Sequence, residues 1–235
     1  YRNVPFPNVK LRKIKEDVQD TRWKAFTDDQ MKVLHEVMQR EWGTNAETRL
    51  TPNRRRAFLM AIRVMLYTGL RPVEVFHLTE DNIAGDNIEI RYTKTGNRRT
   101  LPISKHIADL PGFLRGGGFK AELEAAEHAI YAGAPRGKPA SPASLAKGLR
   151  TYFGEIREKA GITDPKQVLY SCKDTLVRRL QLIFRQKGIA IQRDDIRDII
   201  GHKTKGALAH YLTPIGELDE VLELFREALD AIEYW

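Results

Sequence analysis

The sequence predicts an α+β fold that is mainly α-helical and contains one small antiparallel β-sheet. Three observations predict this class. Apolar residues recur at helical spacing in several long segments that begin at capping residues. Two short segments of alternating apolar and polar residues flank a turn, which is the pattern of a β-hairpin. The chain has 235 residues, 42% of them hydrophobic and 30% charged, which suits a folded domain with a sizeable core.

The first two predicted helices carry recognisable start and stop signals. Thr27 and Gln30 have the spacing of a capping box, so a helix is predicted to begin beside them. Pro52 suits the first turn of a second helix, and Gly69 suits its C-terminal stop. The apolar face of the first helix carries Val33, Leu34 and Val37, and that of the second carries Phe58, Ile62 and Met65.

A β-hairpin is predicted after the second helix. Residues 88–92 alternate between apolar and polar side chains, and a second strand is predicted over 98–103. Thr95-Gly96-Asn97 lies between them and has the composition of a tight turn. The two strands therefore form the small antiparallel sheet.

The remainder of the chain is predicted to be helical apart from two loops. The glycine-rich segment 115–118 and the Gly-, Pro-, Ala- and Ser-rich segment 132–142 predict those loops. Ser141 and Pro142 have the pattern of a helix start, and this helix is predicted to end near Gly161. Further helices are predicted over 173–187, 194–200, 205–212 and, as an amphipathic C-terminal helix, 216–235. The last of these can pack on its own domain or on a neighbouring copy.

Charge and cysteine content narrow the class of partner. The net charge of +8 favours a polyanionic partner, and nucleic acid is preferred to a membrane surface because no strongly basic amphipathic helix is present. Cys172 is the one cysteine, which excludes a disulfide framework and a four-cysteine zinc site. We therefore expect a cytoplasmic protein. The sequence contains no HExxH, P-loop or GxSxG motif, and a metal site would have to use six scattered histidines.

Arg71 and Lys94 are the first two candidate functional residues. Arg71 follows the predicted helix stop at Gly69, so its guanidinium is displayed at a turn and can bind two oxygens of one phosphate. Glu74, about one helical turn later, could orient it. Lys94 lies at the predicted hairpin tip and could donate a proton to a leaving oxygen. Taken singly, each residue is also compatible with an ordinary surface cation.

His202 and Tyr211 form a third candidate segment. Gly201 is predicted to end a helix, which places His202 at a helix junction, and Tyr211 follows nine residues later. A tyrosine can attack phosphorus when it is positioned among positive charges. The ordinary interpretation is a core aromatic, since Leu208 and Leu212 flank Tyr211.

Together these segments resemble the tyrosine recombinases, the family of phage integrases and Xer-type enzymes. The stretch 68–78 is similar to the family's TGLRxxEhxxL segment, and Lys94 in its Lys-Thr-Gly turn is similar to the β-hairpin lysine. Gly201-His202 with Tyr211 resembles the LGH…Y segment, and residues 25–30 resemble the entry to the catalytic domain. The resemblance covers about residues 20–215.

One family motif is altered in this chain. Tyr170 stands where the family's HxxR pair has histidine, and Lys173 stands where it has arginine. Lysine keeps the positive charge but loses the planar fork that holds a phosphate rigidly. Arg179 is an alternative for the arginine by distance, and the interval to His202 requires an insertion near 187–193. A natural active variant, a decayed enzyme that only binds DNA and a deliberately weakened protein all remain open.

The resemblance implies a reaction and a role for each candidate. Tyr211 would attack the scissile phosphate and form a 3′-phosphotyrosyl link, with neither metal nor other cofactor. Arg71 and Lys173 would stabilise the transition state, and Lys94 would act as the general acid. The remaining two candidates would supply hydrogen bonds or assist proton transfer: His202 and Tyr170.

The resemblance also implies partners and a domain plan. The expected partner is double-stranded DNA at an attachment-type site, bound by a homotetramer. Residues 1–22 would be a basic linker from an upstream core-binding domain, either solvated or lying on phosphates, and residues 23–235 would be the catalytic domain with its C-terminal helix. A telomere resolvase, a type IB topoisomerase and a non-catalytic DNA-binding module are the rival interpretations.

Overall fold

The computed structural model describes residues 23–44, 46, 50–92, 98–121, 141–188, 196, 200 and 218–234. Over these residues the chain is mainly helical and contains a three-stranded antiparallel sheet. The predicted fold class is confirmed at this level. No helix in the described ranges is both long and apolar enough to cross a membrane. The predicted linker 1–22 lies outside the described residues.

The first two helices begin and end at the predicted signals. Helix α1 (Asp28–Trp42) starts at the predicted capping box, in which Thr27 Oγ1 accepts from the Gln30 amide and Gln30 Oε1 accepts from the Thr27 amide. Helix α2 (Pro52–Thr68) is followed by Gly69, whose φ is 66°. Other residues rarely adopt this left-handed conformation, which explains the glycine at the helix stop.

The sheet contains the predicted hairpin and one strand more. Strands β1 (Ile83–Ala84), β2 (Asn87–Ile90) and β3 (Arg99–Pro102) pair in that order, and Ile90 lies opposite Arg99. The strand β2 ends two residues before the predicted end at position 92. Strand β1 was not predicted because two residues are too few to show an alternating pattern.

The helices α3 (Pro72–Val75) and α4 (Leu110–Arg115) are short, and α4 was not predicted. The predicted loop at 115–118 is therefore too long at both ends, because Arg115 still ends α4 and Gly118 is already helical. Proline at the start and glycine within α4 hide its periodicity. The predicted loop at 132–142 lies outside the described residues up to position 140.

Three longer helices follow in the described part of the chain. Helix α5 (Pro142–Lys159) is capped by Ser141 as predicted, and Gly161 with φ 70° follows its end. Helix α6 (Ser171–Gln186) begins two residues earlier than predicted, and α7 (Leu218–Asp230) ends five residues earlier. The predicted helices 194–200 and 205–212 lie outside the described residues, except for buried Ile196 and Ile200.

Helix α2 forms the centre of the core. It is buried on nearly every side and packs against α1, α3 and α6. Helix α5 packs against α1 and α3, so that α3, which follows the turn after α2, is held by both α2 and α5. The largest fully buried side chains include Phe26, Phe58, Phe153, Leu66 and Leu70. This packing holds the C-terminal end of α2 rigidly.

The C-terminal segment packs on its own chain. The ring centroid of Phe225 on α7 lies 5.8 Å from that of Phe184 on α6. After α7, the Tyr234 hydroxyl donates to the Leu66 carbonyl at 3.3 Å. Asp230 accepts from the Lys105 amide at 2.7 Å. The sequence left open whether the C-terminal helix packs on its own domain or on a neighbouring copy, and packing on its own domain is observed.

Candidate active site

Arg71 lies at the turn that joins α2 to α3. The left-handed Gly69 reverses the chain, and the Thr68 hydroxyl accepts a hydrogen bond from the Leu70 amide at 3.2 Å. Arg71 then occupies the N-cap position of α3, ahead of Pro72. Its side chain is 28% exposed, so it combines a fixed backbone with access to solvent. The predicted display of Arg71 at a turn is therefore confirmed.

Glu74 organises two arginines with one carboxylate. Its Oε2 accepts from the Arg71 amide at 2.8 Å and its Oε1 accepts from Arg71 Nη1 at 3.1 Å. Arg99 Nη2 also donates to Oε2, at 3.0 Å. The Glu74 side chain is only 1% exposed, so this carboxylate is fully desolvated and held by charge-assisted bonds. The predicted orienting role of Glu74 is confirmed by these contacts.

Arg99 is a member of the site that the sequence prediction missed. It begins β3, and its side chain is 8% exposed. Its Nε atom is buried and has no hydrogen-bond partner among the described residues. Burial lowers the pKa of Arg99, and the Glu74 carboxylate opposes that effect. The alternation of β3 offered a signal, because Arg99 shares a strand face with buried Leu101 and a cation there requires an anionic partner.

Lys173 is brought to the same cluster from the first turn of α6. Its Nζ donates to the Ile200 carbonyl at 3.3 Å. Burial, followed by the positive charges of Arg99 and Arg71, lowers the pKa of Lys173 to about 7, while Glu74 and Asp174 act in the opposite direction. Lys173 therefore holds its proton less firmly than an exposed lysine does.

Arg179, the alternative for Lys173, lies elsewhere. Its guanidinium pairs with Asp28 at 2.6 Å and lies 5.9 Å from the ring centroid of Tyr234. These contacts join α6 to the start of α1 and to the C-terminal segment. The structure therefore places Lys173, and not Arg179, beside Arg71.

Ile200 connects the cluster to the third candidate segment. Its side chain is fully buried, and a Cβ added to Gly69 would lie 2.9 Å from its Cδ1. In the sequence, Ile200 immediately precedes Gly201 and His202. Two distant sequence motifs thus meet at the turn after α2. The candidates Lys94, His202 and Tyr211 themselves lie outside the described residues.

Tyr170 lies immediately before α6 but has a different partner. Its hydroxyl accepts from Arg150 Nη2 at 3.5 Å, and the guanidinium carbon of Arg150 lies 5.7 Å from its ring centroid. Over the described ranges, the Tyr170 side chain makes no hydrogen bond to Arg71, Arg99 or Lys173. Its predicted role at the reacting phosphate stays a prediction.

The cluster has the charge pattern of an oxyanion site. Arg71 and Arg99 supply two permanent cationic groups and Lys173 supplies one that can release its proton, whereas Glu74 supplies one compensating carboxylate. A net positive charge in a partly desolvated position stabilises the developing negative charge of a phosphoryl transition state. In the part of the chain that the structure describes, no group of His, Cys, Asp or Glu could hold a metal ion.

Comparison of the chain with protein-family models, with curated proteins and with solved structures found no match. The function is therefore inferred from the residues of the site and not from a relative. The arginine–glutamate–lysine cluster is the feature that bears most directly on it.

Proposed function

We propose that this chain is the catalytic domain of a tyrosine-type site-specific DNA recombinase, which cleaves and rejoins DNA through a 3′-phosphotyrosyl intermediate. The observation that carries the proposal is the meeting of Arg71, Lys173 and Ile200 at one turn. Arg71 belongs to the first motif of the resemblance, Lys173 to the second, and Ile200 directly precedes the third. Motifs that occurred by chance would have no reason to converge in space.

The proposed chemistry begins with attack by the Tyr211 hydroxyl on the scissile phosphate. A bond forms between the tyrosine oxygen and phosphorus, and the bond to the 5′ oxygen of the next nucleotide breaks. Lys94 gives a proton to this leaving oxygen, and His202 assists transfer of the tyrosine proton. Attack by a 5′ hydroxyl of a second strand reverses the step, so no net hydrolysis occurs and no cofactor is consumed.

In the proposed reaction, Arg71 and Lys173 stabilise the negative charge of the transition state. The nonbridging phosphate oxygens gain negative charge as Tyr211 attacks, and preorganised cations stabilise that charge without reorienting. Glu74 fixes the Arg71 guanidinium through one Nη, which leaves further N–H donors for a phosphate. Removal of one such donor costs roughly 3 kcal/mol in the transition state.

Double-stranded DNA is the proposed substrate, and exchange between two duplexes requires several copies of the chain. We propose a homotetramer on paired attachment-type sites. Because the cationic cluster and the net charge of +8 favour phosphate contacts, DNA affinity should fall with salt by roughly 0.9 log units per log unit of salt for each phosphate neutralised. A salt-independent affinity would contradict a DNA partner.

Formation of an SDS-stable adduct tests the nucleophile. The protein is incubated with nicked suicide duplexes taken from DNA that flanks its own gene, and covalent complexes are separated by denaturing electrophoresis. We expect an adduct with the unaltered chain and none with Tyr211→Phe. The matched control is Tyr92→Phe, which removes the hydroxyl of another tyrosine that is 49% exposed. An adduct that survives Tyr211→Phe and disappears with Tyr92→Phe would refute the assignment.

A second candidate function, a DNA-binding module without strand cleavage, is favoured by two observations. Tyr170, at the position of the family's histidine, contacts Arg150 and not the cationic cluster, and Lys173 lacks the planar fork with which an arginine holds a phosphate. Lys173→Arg restores a permanent charge and separates the two functions. If this variant forms the adduct and the unaltered chain binds the same DNA without forming it, the chain is a disabled relative of the enzyme.

A further inference from the structure

A cleft beside the proposed active site has the composition of a nucleotide site. It has a volume of about 390 Å³ and lies between α5 and the residues that lead into α6. Trp23 lies at the cleft and is 44% exposed, whereas Phe153 in its lining is buried. An exposed indole is costly in water and is suited to stacking on a flat apolar surface. This cavity is called the Trp23 cleft below.

The charges of the Trp23 cleft are all positive. Arg150 and Arg157 line it, and none of its described lining residues carries a carboxylate. Arg157 Nη1 donates to the Gln167 carbonyl at 3.1 Å, whereas its Nε atom is buried and lacks a hydrogen-bond partner within the described part of the chain. Arg150 is held over the face of Tyr170, which fixes its guanidinium beside the cavity. Aromatic surface combined with uncompensated arginines matches a ligand that has both a flat ring and a negative charge.

Gly154 keeps part of the cleft open. It lies within α5, where glycine costs about 1 kcal/mol relative to alanine. Its φ is not positive, and a Cβ added at this position would meet nothing within 4 Å. Neither backbone conformation nor packing therefore explains the glycine.

The cleft adjoins the cationic cluster through the start of α6. Tyr170 lines the cleft, and its carbonyl accepts from the Lys173 amide at 3.2 Å. Tyr170 and Lys173 are thus about one helical turn apart in the chain. The cleft and the cationic cluster therefore take residues from the same end of α6.

We propose that the Trp23 cleft holds an unstacked nucleotide of the DNA strand next to the scissile phosphate, with its base against Trp23 and its phosphate facing Arg150 and Arg157. This inference rests on the proposed function, since it takes the Arg71–Lys173 cluster as the site of the scissile phosphate. Stacking on an aromatic side chain tolerates every base, so the cleft would support strand binding and not sequence readout.

Fluorescence of 2-aminopurine in a short single-stranded DNA oligonucleotide tests the cleft. The Tyr211→Phe full-length chain is used, so that no covalent chemistry intervenes. Stacking on Trp23 should quench the probe, and both Trp23→Leu and Gly154→Leu should remove the quenching and weaken binding roughly fivefold or more. Thr151→Ala is the matched control: Thr151 is an exposed residue of the same helix that does not line the cleft, and its replacement should leave binding unchanged.

The outcomes distinguish a DNA strand from a free nucleotide as the ligand, and they test the cleft separately from the recombinase proposal. Quenching by the free 2-aminopurine deoxynucleotide with none by the oligonucleotide would overturn the strand site in favour of a nucleotide pocket. Equal quenching and affinity with Gly154→Leu would also overturn it. An SDS-stable adduct without Trp23-dependent quenching would support the recombinase proposal and refute the proposed role of the Trp23 cleft. Quenching without any adduct would support the role of the cleft and refute strand cleavage.

Discussion

Replacement of Lys173 by methionine should stabilise the fold in a pH-dependent way. Lysine and methionine have similar length and flexibility, but methionine carries no charge into the cluster of Arg71 and Arg99. The pKa of Lys173 is lowered from 10.5 to about 7, chiefly by burial. At about 1.4 kcal/mol per pKa unit, the protonated side chain costs the folded state on the order of 5 kcal/mol as an upper limit.

The direction of the pH dependence follows from proton binding in the two states. Above pH 10.5 the lysine is neutral in both states, so its charge adds no cost. As the pH falls from 10.5 to about 7, the unfolded chain binds a proton that the folded chain does not, and the folded state loses stability. Below pH 7 both states are protonated and the cost is complete. The advantage of Lys173→Met should therefore be largest at pH 6 and should decline by about 1.4 kcal/mol per unit above pH 7.

Urea unfolding at several pH values between 6 and 9.5 measures this difference. The variant shares every other titrating group with the unaltered chain, so the difference in unfolding free energy isolates Lys173. The variant also loses the hydrogen bond to the Ile200 carbonyl, which lowers its expected gain in unfolding free energy by about 1 kcal/mol at every pH. The exposed Lys147→Met on α5 is the control and should change stability by less than about 0.5 kcal/mol. A Lys173→Met advantage that stays constant or grows with pH would refute the reasoning.

Three further predictions concern the same cluster. Glu74→Gln leaves two arginines without their carboxylate and should destabilise the fold by roughly 3–5 kcal/mol in urea unfolding, whereas Glu89→Gln in an exposed pair should cost less than about 1 kcal/mol. Gly69→Ala should lower the free energy of unfolding by about 2 kcal/mol or more, because alanine disfavours a φ of 66° and its Cβ would press on Ile200. An unchanged unfolding midpoint would contradict this. DNA binding at pH 8 should take up a proton through Lys173, which calorimetry in buffers of different ionisation enthalpy detects and which Lys173→Met should abolish.

Local chemistry accounts for the parts of the fold that the sequence predicted well. The capping box at Thr27 and the glycine stop at Gly69 depend on neighbouring residues alone, and both appear as predicted. The short helix α4 was missed because Gly112 and Pro111 conceal its periodicity. Two-residue strand β1 was missed because pairing, not pattern, defines it.

The candidate site was predicted where it depends on motifs and missed where it depends on tertiary contact. Arg71 and Glu74 are three residues apart, so their pairing could be inferred from helical spacing. Arg99 joins the same carboxylate from 25 residues away, which only the strand pairing determines. The lowered pKa of Lys173 depends on burial and on two distant cations, neither of which a sequence motif specifies.

The balance of charge explains how a lysine can function beside two arginines. Glu74 compensates one of the two guanidinium groups, so a third permanent cation would face an uncompensated charge in a desolvated position. Lysine avoids that cost by releasing its proton, which arginine cannot do. If the proposed phosphate binds, its negative charge should raise the pKa of Lys173 again, so that the third cation forms in contact with that ligand. Avoidance of a third permanent charge in the empty cluster is a physical reason for lysine at this position.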